Sequence, residues 1–542
     1  MLQKSEQSKR QRERLINEGI HFYNGYLCKN EDDMISINNS EYRLSKYNYS
    51  VSIENSIRVM NLLSRSIIDF PIMDYSMLEN HVKSLTLDEK ELLIEYGFLV
   101  GNKINEYNSF RDFFRKRKNM NSIQVTVGFS MNCNFDCRYC IQKGNYEVKN
   151  NFTKDNIDLL FDWLLDEIKN GERFFINIFG GEPTLNIEAV YYFVKSCNHF
   201  KKEYGCYFEY QMVTNGFLLN AEMIKELISL GVKSFQITLD GVGDVHNQRR
   251  SPRFDSFTAI VNNILELVNY DCDITLLHVF DESNRASGKS LVDFFSNIII
   301  DAEKRKKIFF NFVVTIPKDN NIVSCNNYIK GKEKYLTMDI VDYVLYAKGL
   351  GFSYVNTLDI SCCFRQCSES FLIDPALNIY KCYSIFGNEL YALGKITEKS
   401  IKEFFLSEGK HWSELDGFSK TCEKCNFVPF CRGGCQFAAS ELHNGEYGHP
   451  YCEKEVMEEQ IEASRVEAVS VVEESRTRYS VKKDVVMKVG ESIIQGYKVL
   501  GAKFVALLSS LKRKEKDSLD SGKISETSKN NSKKKKNRKK RK

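Results

Sequence analysis

The chain has 542 residues, 42% apolar and 27% charged, with a formal net charge of +4. That length allows three or more domains, the charge balance marks no partner class for the chain as a whole, and no run approaches the roughly 20 apolar residues of a membrane span. The 17 cysteines are clustered and residues 1–14 are polar rather than a secretory signal, so metal ligation is expected ahead of disulfides and a cytoplasmic location ahead of export.

Residues 1–120 hold no ligand cluster and read as a small α+β module. Strands are expected over 22–28 and 34–38. A helix is expected over 53–68, where Ile57, Met60, Leu63 and Ile67 recur at helical spacing. A second helix is expected over 85–100, opened by Thr86-Leu87-Asp88-Glu89, an S/T-x-x-E capping box.

A strand over 123–129 then leads into Cys133-Asn134-Phe135-Asp136-Cys137-Arg138-Tyr139-Cys140, a C-x3-C-x2-C loop. Soft thiolates in such a set select zinc or an iron–sulfur cluster, and a four-iron cubane needs one thiolate more than this loop supplies. One iron would keep an open position that a molecule bearing an amine and a carboxylate can chelate. A three-cysteine zinc knuckle is the plainer alternative.

From here to about residue 350 the pattern repeats as strand, loop, helix. Strands are expected over 123–129, 174–179, 207–213, 234–239, 273–279 and 308–316. Helices are expected over 154–169, 186–201, 221–230, 254–268, 288–300 and 337–348. Such alternation predicts parallel strands with helical crossovers, and six units fit a partial barrel whose ligands gather at the C-terminal strand ends. The distinctive motifs fall there: Gly180-Gly181-Glu182-Pro183 after the second strand, Thr214-Asn215-Gly216 after the third, and Thr238-Leu239-Asp240-Gly241 with His246, Arg249 and Arg250 after the fourth.

The cysteine loop, with the aromatic Tyr139 before its last cysteine, and the GGEP that follows one strand later resemble the radical S-adenosylmethionine (SAM) superfamily. In that family the open iron holds the methionyl end of SAM, and an electron from the cluster cleaves the sulfonium to give a 5′-deoxyadenosyl radical. The resemblance implies Cys133, Cys137 and Cys140 as cluster ligands. It implies SAM contacts at Tyr139, Gly180, Gly181, Glu182 and Thr238, and at Arg249 or Arg250.

A second block of cysteines comprises Cys362 or Cys363, Cys367, Cys382, then Cys422-x2-Cys425-x5-Cys431-x3-Cys435, and Cys452. Structural zinc is the alternative use of such a set. The block resembles the SPASM extension, which houses two auxiliary [4Fe–4S] clusters. The pattern implies Cys362 (or Cys363), Cys367, Cys382 and Cys435 for one, and Cys422, Cys425, Cys431 and Cys452 for the other. Leu377 stands where the pattern usually has glycine. Cys28, Cys197, Cys206, Cys272 and Cys325 are isolated and read as packed thiols.

Beyond residue 460, Ile493, Tyr497, Leu500, Phe504, Leu507 and Leu511 form the apolar stripe of a basic amphipathic helix. It suits packing, or contact with a partner helix or membrane surface through 493–514. The basic end, KKKKNRKKRK, reads as a solvated tail with no specific nucleic acid partner.

The expected fold is thus α/β. A small N-terminal α+β module (1–120) precedes a partial (β/α)6 TIM-like radical SAM barrel (121–350), a C-terminal cysteine-rich SPASM domain (351–460), a helical extension (461–515) and a disordered basic tail (516–542). The resemblance implies an enzyme that uses SAM and three [4Fe–4S] clusters to modify a peptide, forming a thioether or a carbon–carbon cross-link. It also implies a low-potential electron donor such as flavodoxin or ferredoxin, and a leader-binding role for the N-terminal module. Anaerobic sulfatase maturation (formylglycine formation) is the runner-up. It is weakened because that branch carries Asp after the cysteine matching Cys382, where this chain has Tyr383. A non-enzymatic iron–sulfur electron-transfer or sensing protein is the alternative of another class.

Overall fold

In the computed structural model the described residues are 42–118, 122–142, 150–315, 334–354 and 363–458, apart from short gaps within them, together with a hairpin near the N-terminus. The 34–38 strand, Cys325, Cys362, the 493–514 helix and the basic tail lie outside the described residues.

The N-terminal hairpin pairs β1 (His21–Tyr23) with β2 (Tyr26–Cys28), where one continuous strand was expected. Further on, β3 (Tyr42–Leu44) pairs with β7 (Leu99–Gly101), and β4 (Asn48–Ile53), β5 (Ser56–Asn61) and β6 (Ile67–Phe70) form an antiparallel sheet. The helix expected over 53–68 is therefore corrected to two strands. Ile53 lies opposite Ser56, the register of a two-residue hairpin. Arg58 then pairs across the sheet with Asp69 at 2.7 and 2.9 Å. Strand pairing and β-branched residues overrode an incidental helical spacing. The expected 85–100 helix is corrected at its end: the Lys90 amide donates to the Thr86 carbonyl at 3.1 Å, but Leu99–Gly101 is the β7 strand.

The main sheet is built as its alternation predicts. Strands β8 (Ile123–Ser130), β9 (Arg173–Gly180), β10 (Tyr207–Thr214), β11 (Ser234–Thr238), β12 (Asp273–Phe280) and β13 (Ile308–Val314) run parallel in sequence order. Helices Lys154–Lys169, Ile187–Tyr204, Ala221–Ser229, Phe257–Leu267, Ser287–Ile298 and Lys334–Gly349 alternate with them. The β14 strand (Ser353–Tyr354) extends the β13 side. On the other side β15 (Ser370–Ile373) joins β8 in parallel, and β16 (Ile379–Tyr380) closes the order antiparallel.

Alternate residues of every main strand, such as Val125, Ile176, Met212, Ile237, Leu276 and Phe310, are buried in one core cluster shared with the helices. The opposite face carries Gln124, Thr126, Asn177, Gln211, Gln236 and Asn311. A strand's pleat places these six on the helix-free side together with Phe175, Phe179, Val213, Leu277, Val279, Phe309 and Val313, so the sheet has an apolar outer face and a mixed inner one. The N-terminal module is seated on the cysteine-rich segment: Tyr47, Leu62 and Phe110 share a cluster with Phe427, Val428 and Phe430.

Candidate active site

The cysteine loop leaves the C-terminal end of β8 and is tied to the ends of the next three strands. At β9, the Gly181 amide donates to the Ser130 carbonyl at 2.7 Å and the Glu182 amide to the Asn132 carbonyl at 2.8 Å. A Cβ on Gly181 would stand 2.4 Å from the Asn132 oxygen, and one on Gly180 (φ +141°) 2.3 Å from the Ser130 oxygen. Both glycines are thus required by the close passage of the loop's own backbone. At β10, the Asn215 side chain donates to Asn134 Oδ1 at 2.7 Å. At the short helix Asp244–Arg250, the amides of Asp136 and Arg138 donate to the carbonyls of Arg250 and Arg249 at 3.1 and 3.3 Å.

Glu182 is 0% exposed. Its Oε1 accepts from the Thr184 amide and hydroxyl and from the Thr214 hydroxyl at 3.1, 2.6 and 2.7 Å, and its Oε2 from the Asn215 amide at 2.7 Å. Burial pushes this carboxyl upward against those four donors. Glu182 thereby joins the GGEP turn to the end of β10.

Asp240, also 0% exposed, is the centre of the next layer. The Tyr139 hydroxyl donates to its Oδ1 at 2.8 Å, and Arg249 Nε reaches its Oδ2 at 3.3 Å. Its carbonyl accepts from Asn284 and Ser287 at 2.8 and 3.0 Å. The two arginines separate here. Arg249 Nη1 turns outward to Asp281 (3.0 and 3.1 Å) and Ser283 (2.7 Å). Arg250 Nη1 donates to the Tyr139 hydroxyl at 3.0 Å and lies 3.9 Å from Asp240 Oδ1. Arg250 acts electrostatically on Cys137 and Cys133, opposing the burial that pushes Cys137 up to about 12. Buried Arg250 Nε and Arg249 Nη2 have no hydrogen-bond partner among the described residues. Thr238 ends β11 on the inner face, 8% exposed.

The donor set is not drawn together for a single ion. Among the described residues no three His, Cys, Asp or Glu side chains converge as one ion would require; tetrahedral zinc would hold its sulfurs roughly 3.8 Å apart. In a cubane each thiolate binds a different iron, so its ligands stand further apart. Arg250 provides positive charge beside the thiols, as an anionic centre needs.

In the cysteine-rich segment, Cys382 and Cys435 sit in one apolar cluster with Ile385 and Phe437, and both act electrostatically on Cys363. Cys367 follows in the same turn, after the short helix Phe364–Gln366. Cys422 and Cys425 lie against the N-terminal module, and Cys452 acts on Cys425. Cys431 ends the helix Val428–Cys431, between these two groups in sequence. Cys197, Cys206 and Cys272 are buried in the core, as isolated packed thiols should be.

The turn before Cys382 contains the departure noted at Leu377. Leu377 has φ +64° and is 7% exposed. The Asp374 carboxylate holds the turn by accepting from the Ala376 and Asn378 amides, each at 2.9 Å. The left-handed conformation is kept without glycine.

After Cys382 the chain enters the inner face of the sheet. The Tyr383 hydroxyl lies 2.7 Å from Thr126 Oγ1 and accepts from Asn177 at 3.2 Å, while Phe386 packs where a Cβ on Gly128 would fall. Burial pushes the Tyr383 phenol up to about 12. Sequence reasoning passed over Asp240 as a hub, and it also missed the buried cations Arg365 and Lys381.

Residues 127–295 match the model of the Radical SAM superfamily, whose members use a [4Fe–4S] cluster and SAM. Over 304 residues the chain is 25% identical to the radical SAM cyclopropyl synthase TigE of Paramaledivibacter caminithermalis, covering 49% of this chain and 61% of that protein. It is also 25% identical over 150 residues to the GTP 3′,8-cyclase of Campylobacter fetus subsp. fetus, covering 28% and 43%. The chain thus spans less than two thirds of either curated relative. The solved structure of native anSMEcpe with bound AdoMet aligns with TM-score 0.51 at 17% identity, covering 65% of this chain and 99% of that one. The architecture is therefore that of a partial radical SAM barrel followed by a cysteine-rich region. No helix among the described residues is long and apolar enough to cross a membrane.

Proposed function

We propose that this chain, which carries a radical SAM domain over residues 127–295, is a peptide maturase that removes a hydrogen atom from a peptide segment and closes a carbon–carbon or thioether cross-link on it. When bound, the cluster supplies the electron that cleaves SAM, and the adenosyl group supplies the hydrogen acceptor. Cys133, Cys137 and Cys140 would hold that cluster. Arg250 and Tyr139 would fix its loop, and Glu182 would hold the GGEP backbone in place for the SAM amino group. Thr238 would face the nucleoside. These groups orient and exclude water, and orientation is where a protein contributes most to such a reaction.

The observation that carries the reading is the chemistry of the inner face. Gln124, Gln211, Gln236 and Asn311 carry neutral amides there, while Thr126 and Asn177 are bonded to Tyr383. From the second residue of each strand onward, no lysine, arginine or histidine of β8 to β13 alternates onto it. A nucleoside triphosphate would need fixed cations there, whereas a peptide backbone needs the donors and acceptors that are present. Arg249 and Arg250 at the rim are already engaged by Asp240, Asp281 and Tyr139. This favours a peptide over a GTP-like substrate. Within the peptide class, the cyclopropyl synthase likeness favours carbon–carbon bond formation, since a cyclopropyl ring is closed by such a bond. Sulfatase maturation is disfavoured because a phenol raised to about 12 at Tyr383 is a poor base near neutral pH.

The remaining assignments belong to the same reading. The cysteine-rich region would hold two auxiliary clusters on the two sets of four cysteines, with Cys363 as the described candidate in the first. The N-terminal module would capture the peptide leader at the exposed edge of its β4–β5–β6 sheet. A flavodoxin or ferredoxin would deliver the electron.

The test is anaerobic incubation of iron-replete protein with SAM and dithionite. Formation of 5′-deoxyadenosine, abolished when Cys133, Cys137 and Cys140 are changed to Ala, supports the enzyme, and its absence rules it out. A short peptide encoded beside the gene should lose two hydrogens by mass spectrometry when added. A sulfatase fragment converted instead would replace this reading with the runner-up.

A further inference from the structure

The inner face of the sheet changes character along its strands. At mid-strand the polar side chains Thr126, Asn177 and Gln211 lie side by side in register. Two residues further on, toward the strand ends that carry the cysteine loop and the GGEP turn, Phe179 and Val213 take their place. Val279 lies opposite Val313 as the last inner pair of β12 and β13. On β8 the matching position is Gly128, and Phe386 fills the space a side chain would occupy there. Of β9 to β13, only β11 ends its inner row with a polar side chain, Thr238.

Tyr383 stands between the two zones. Its hydroxyl is bonded to Thr126 at 2.7 Å and to Asn177 at 3.2 Å, and Asn177 donates to Thr126 at 3.3 Å. Those two polar side chains are 0% and 7% exposed, so their hydrogen bonds are already used and their surface is covered. The Tyr383 ring meets Phe179 edge-on at 5.3 Å and Phe364 at 5.2 Å. All three rings are half-buried. The patch is continuous with the cluster site: Phe179 directly precedes Gly180, and Met131, at the start of the cysteine loop, shares an apolar cluster with the three rings.

Rings in this state have apolar surface left to cover and no polar atom left to offer. Covering it is favourable by about 25 cal/mol per Å². A hydroxyl or carboxylate placed against it would lose water without gaining a partner. We propose that Phe179, Phe364 and Tyr383 form the subsite for the peptide side chain that loses hydrogen, that this side chain is apolar, and that Tyr383 is the floor that sets its depth. The proposal rests on the peptide reading given above and adds the class of residue attacked.

The test uses the full chain, reconstituted anaerobically, with SAM, dithionite and two synthetic probes. These are N-acetylated, C-amidated tripeptides, glycine–isoleucine–glycine and glycine–serine–glycine, each deuterated throughout the central side chain. One C–D bond breaks in the peptide and one forms at the 5′ carbon, so mass spectrometry of 5′-deoxyadenosine counts the transfer. The isoleucine probe should give at least about tenfold more deuterated product than the serine probe. Tyr383→Ala uncovers Thr126 and Asn177 and should lower that ratio at least about threefold, while Tyr383→Phe keeps the ring and should retain the ratio. A second readout needs no SAM. The tripeptide with a diazirine analogue of leucine at its centre should, on irradiation, label Phe179, Phe364 or Tyr383, and the isoleucine probe should displace it better than the serine probe. Equal or greater transfer from serine overturns the apolar subsite and leaves the peptide reading standing. Transfer from neither probe, with no label on the three rings, overturns both. Should neither transfer, label on these rings displaced by the isoleucine probe upholds the subsite. A ratio unmoved by Tyr383→Ala overturns the role of Tyr383; if that variant does not fold, the two probes on the unaltered chain decide.

Discussion

The Tyr139 hydroxyl donates a 2.8 Å hydrogen bond to Asp240 Oδ1, joining the cysteine loop to the end of the fourth parallel strand. Arg250 completes a triangle, 3.0 Å from the tyrosine oxygen and 3.9 Å from the carboxylate. The residue just before the third cysteine of the motif is therefore held by an Asp–Arg pair from another strand end. The cluster loop is thereby tied to that pair.

Asp240→Asn tests this directly. The change leaves two buried arginines facing a neutral amide, and breaking a buried pair from one side costs about 3–5 kcal/mol. The expected outcome is a melting temperature lowered by several degrees and 5′-deoxyadenosine formation down at least tenfold. Tyr139→Phe removes one hydrogen bond and should cost only about 1 kcal/mol. If Asp240→Asn melts with the parent protein, the triangle does not hold the loop.

Gly181→Ala separates backbone fit from ligand contact. Its new methyl would meet the Asn132 carbonyl oxygen at 2.4 Å, main-chain atoms that cannot swing aside. Overpacking of this kind costs about 1–3 kcal/mol, and the loop carrying Cys133 has to shift. Iron bound at the first site should fall while iron in the cysteine-rich region stays constant, measured in variants lacking one set of ligands or the other. Full iron at the first site would mean that the turn accommodates the methyl.

Much of this architecture was legible because period and punctuation agreed. The six parallel strands and their helices follow from alternating runs of apolar residues. The helix Lys154–Lys169 begins and ends where its pattern does, with Thr153 capping the Asn156 amide. The 53–68 segment was misread because Ile57, Met60, Leu63 and Ile67 happen to fit a helix, while the Arg58–Asp69 pair that fixes the sheet is visible only once the strands face each other. The site was legible as a set of motifs but not as a network. That Glu182 grips β10, that Arg249 turns to Asp281 while Arg250 turns to Tyr139, and that Asp240 gathers both arginines depend on three-dimensional convergence. Leu377 is the reverse case: a departure in sequence that leaves the turn's left-handed geometry intact, because Asp374 and burial hold it.

Two buried histidines behind the same strand end predict acid sensitivity. His246 Nδ1 accepts from the Asp240 amide at 3.3 Å, and His278 Nδ1 donates to the Leu239 carbonyl at 2.9 Å. Burial lowers both below the usual histidine range, His246 the further. The folded state therefore binds fewer protons than the unfolded one, and stability falls as pH drops below about 6.5, by up to ~1.4 kcal/mol per pH unit for each histidine until its folded value is reached. Denaturant titrations at pH 7.5, 6.5 and 5.5 should show this slope, and His246→Gln should reduce it. A slope unchanged in His246→Gln would assign the acid sensitivity elsewhere.

Phe427 tests how the N-terminal module is held. Its side chain is 0% exposed, packs edge-on to Tyr49 at 5.3 Å and lies two residues beyond Cys425, while Lys46 donates to the Glu423 carbonyl at 2.8 Å. The module thus rests on the stretch between two cysteines of the second set, so docking and ligand geometry share the same backbone. Phe427→Ala should cost about 3–5 kcal/mol locally. It should expose residues 42–118 to limited proteolysis while the fragments carrying β8 to β13 survive. Because the cysteine loop of the radical SAM domain is not in this contact, 5′-deoxyadenosine formation without peptide should stay within about twofold of the parent. A module as protease-resistant as before would mean that the Tyr47 and Phe110 contacts hold it without Phe427. Loss of 5′-deoxyadenosine formation together with the module would mean that the two halves fold as one cooperative unit.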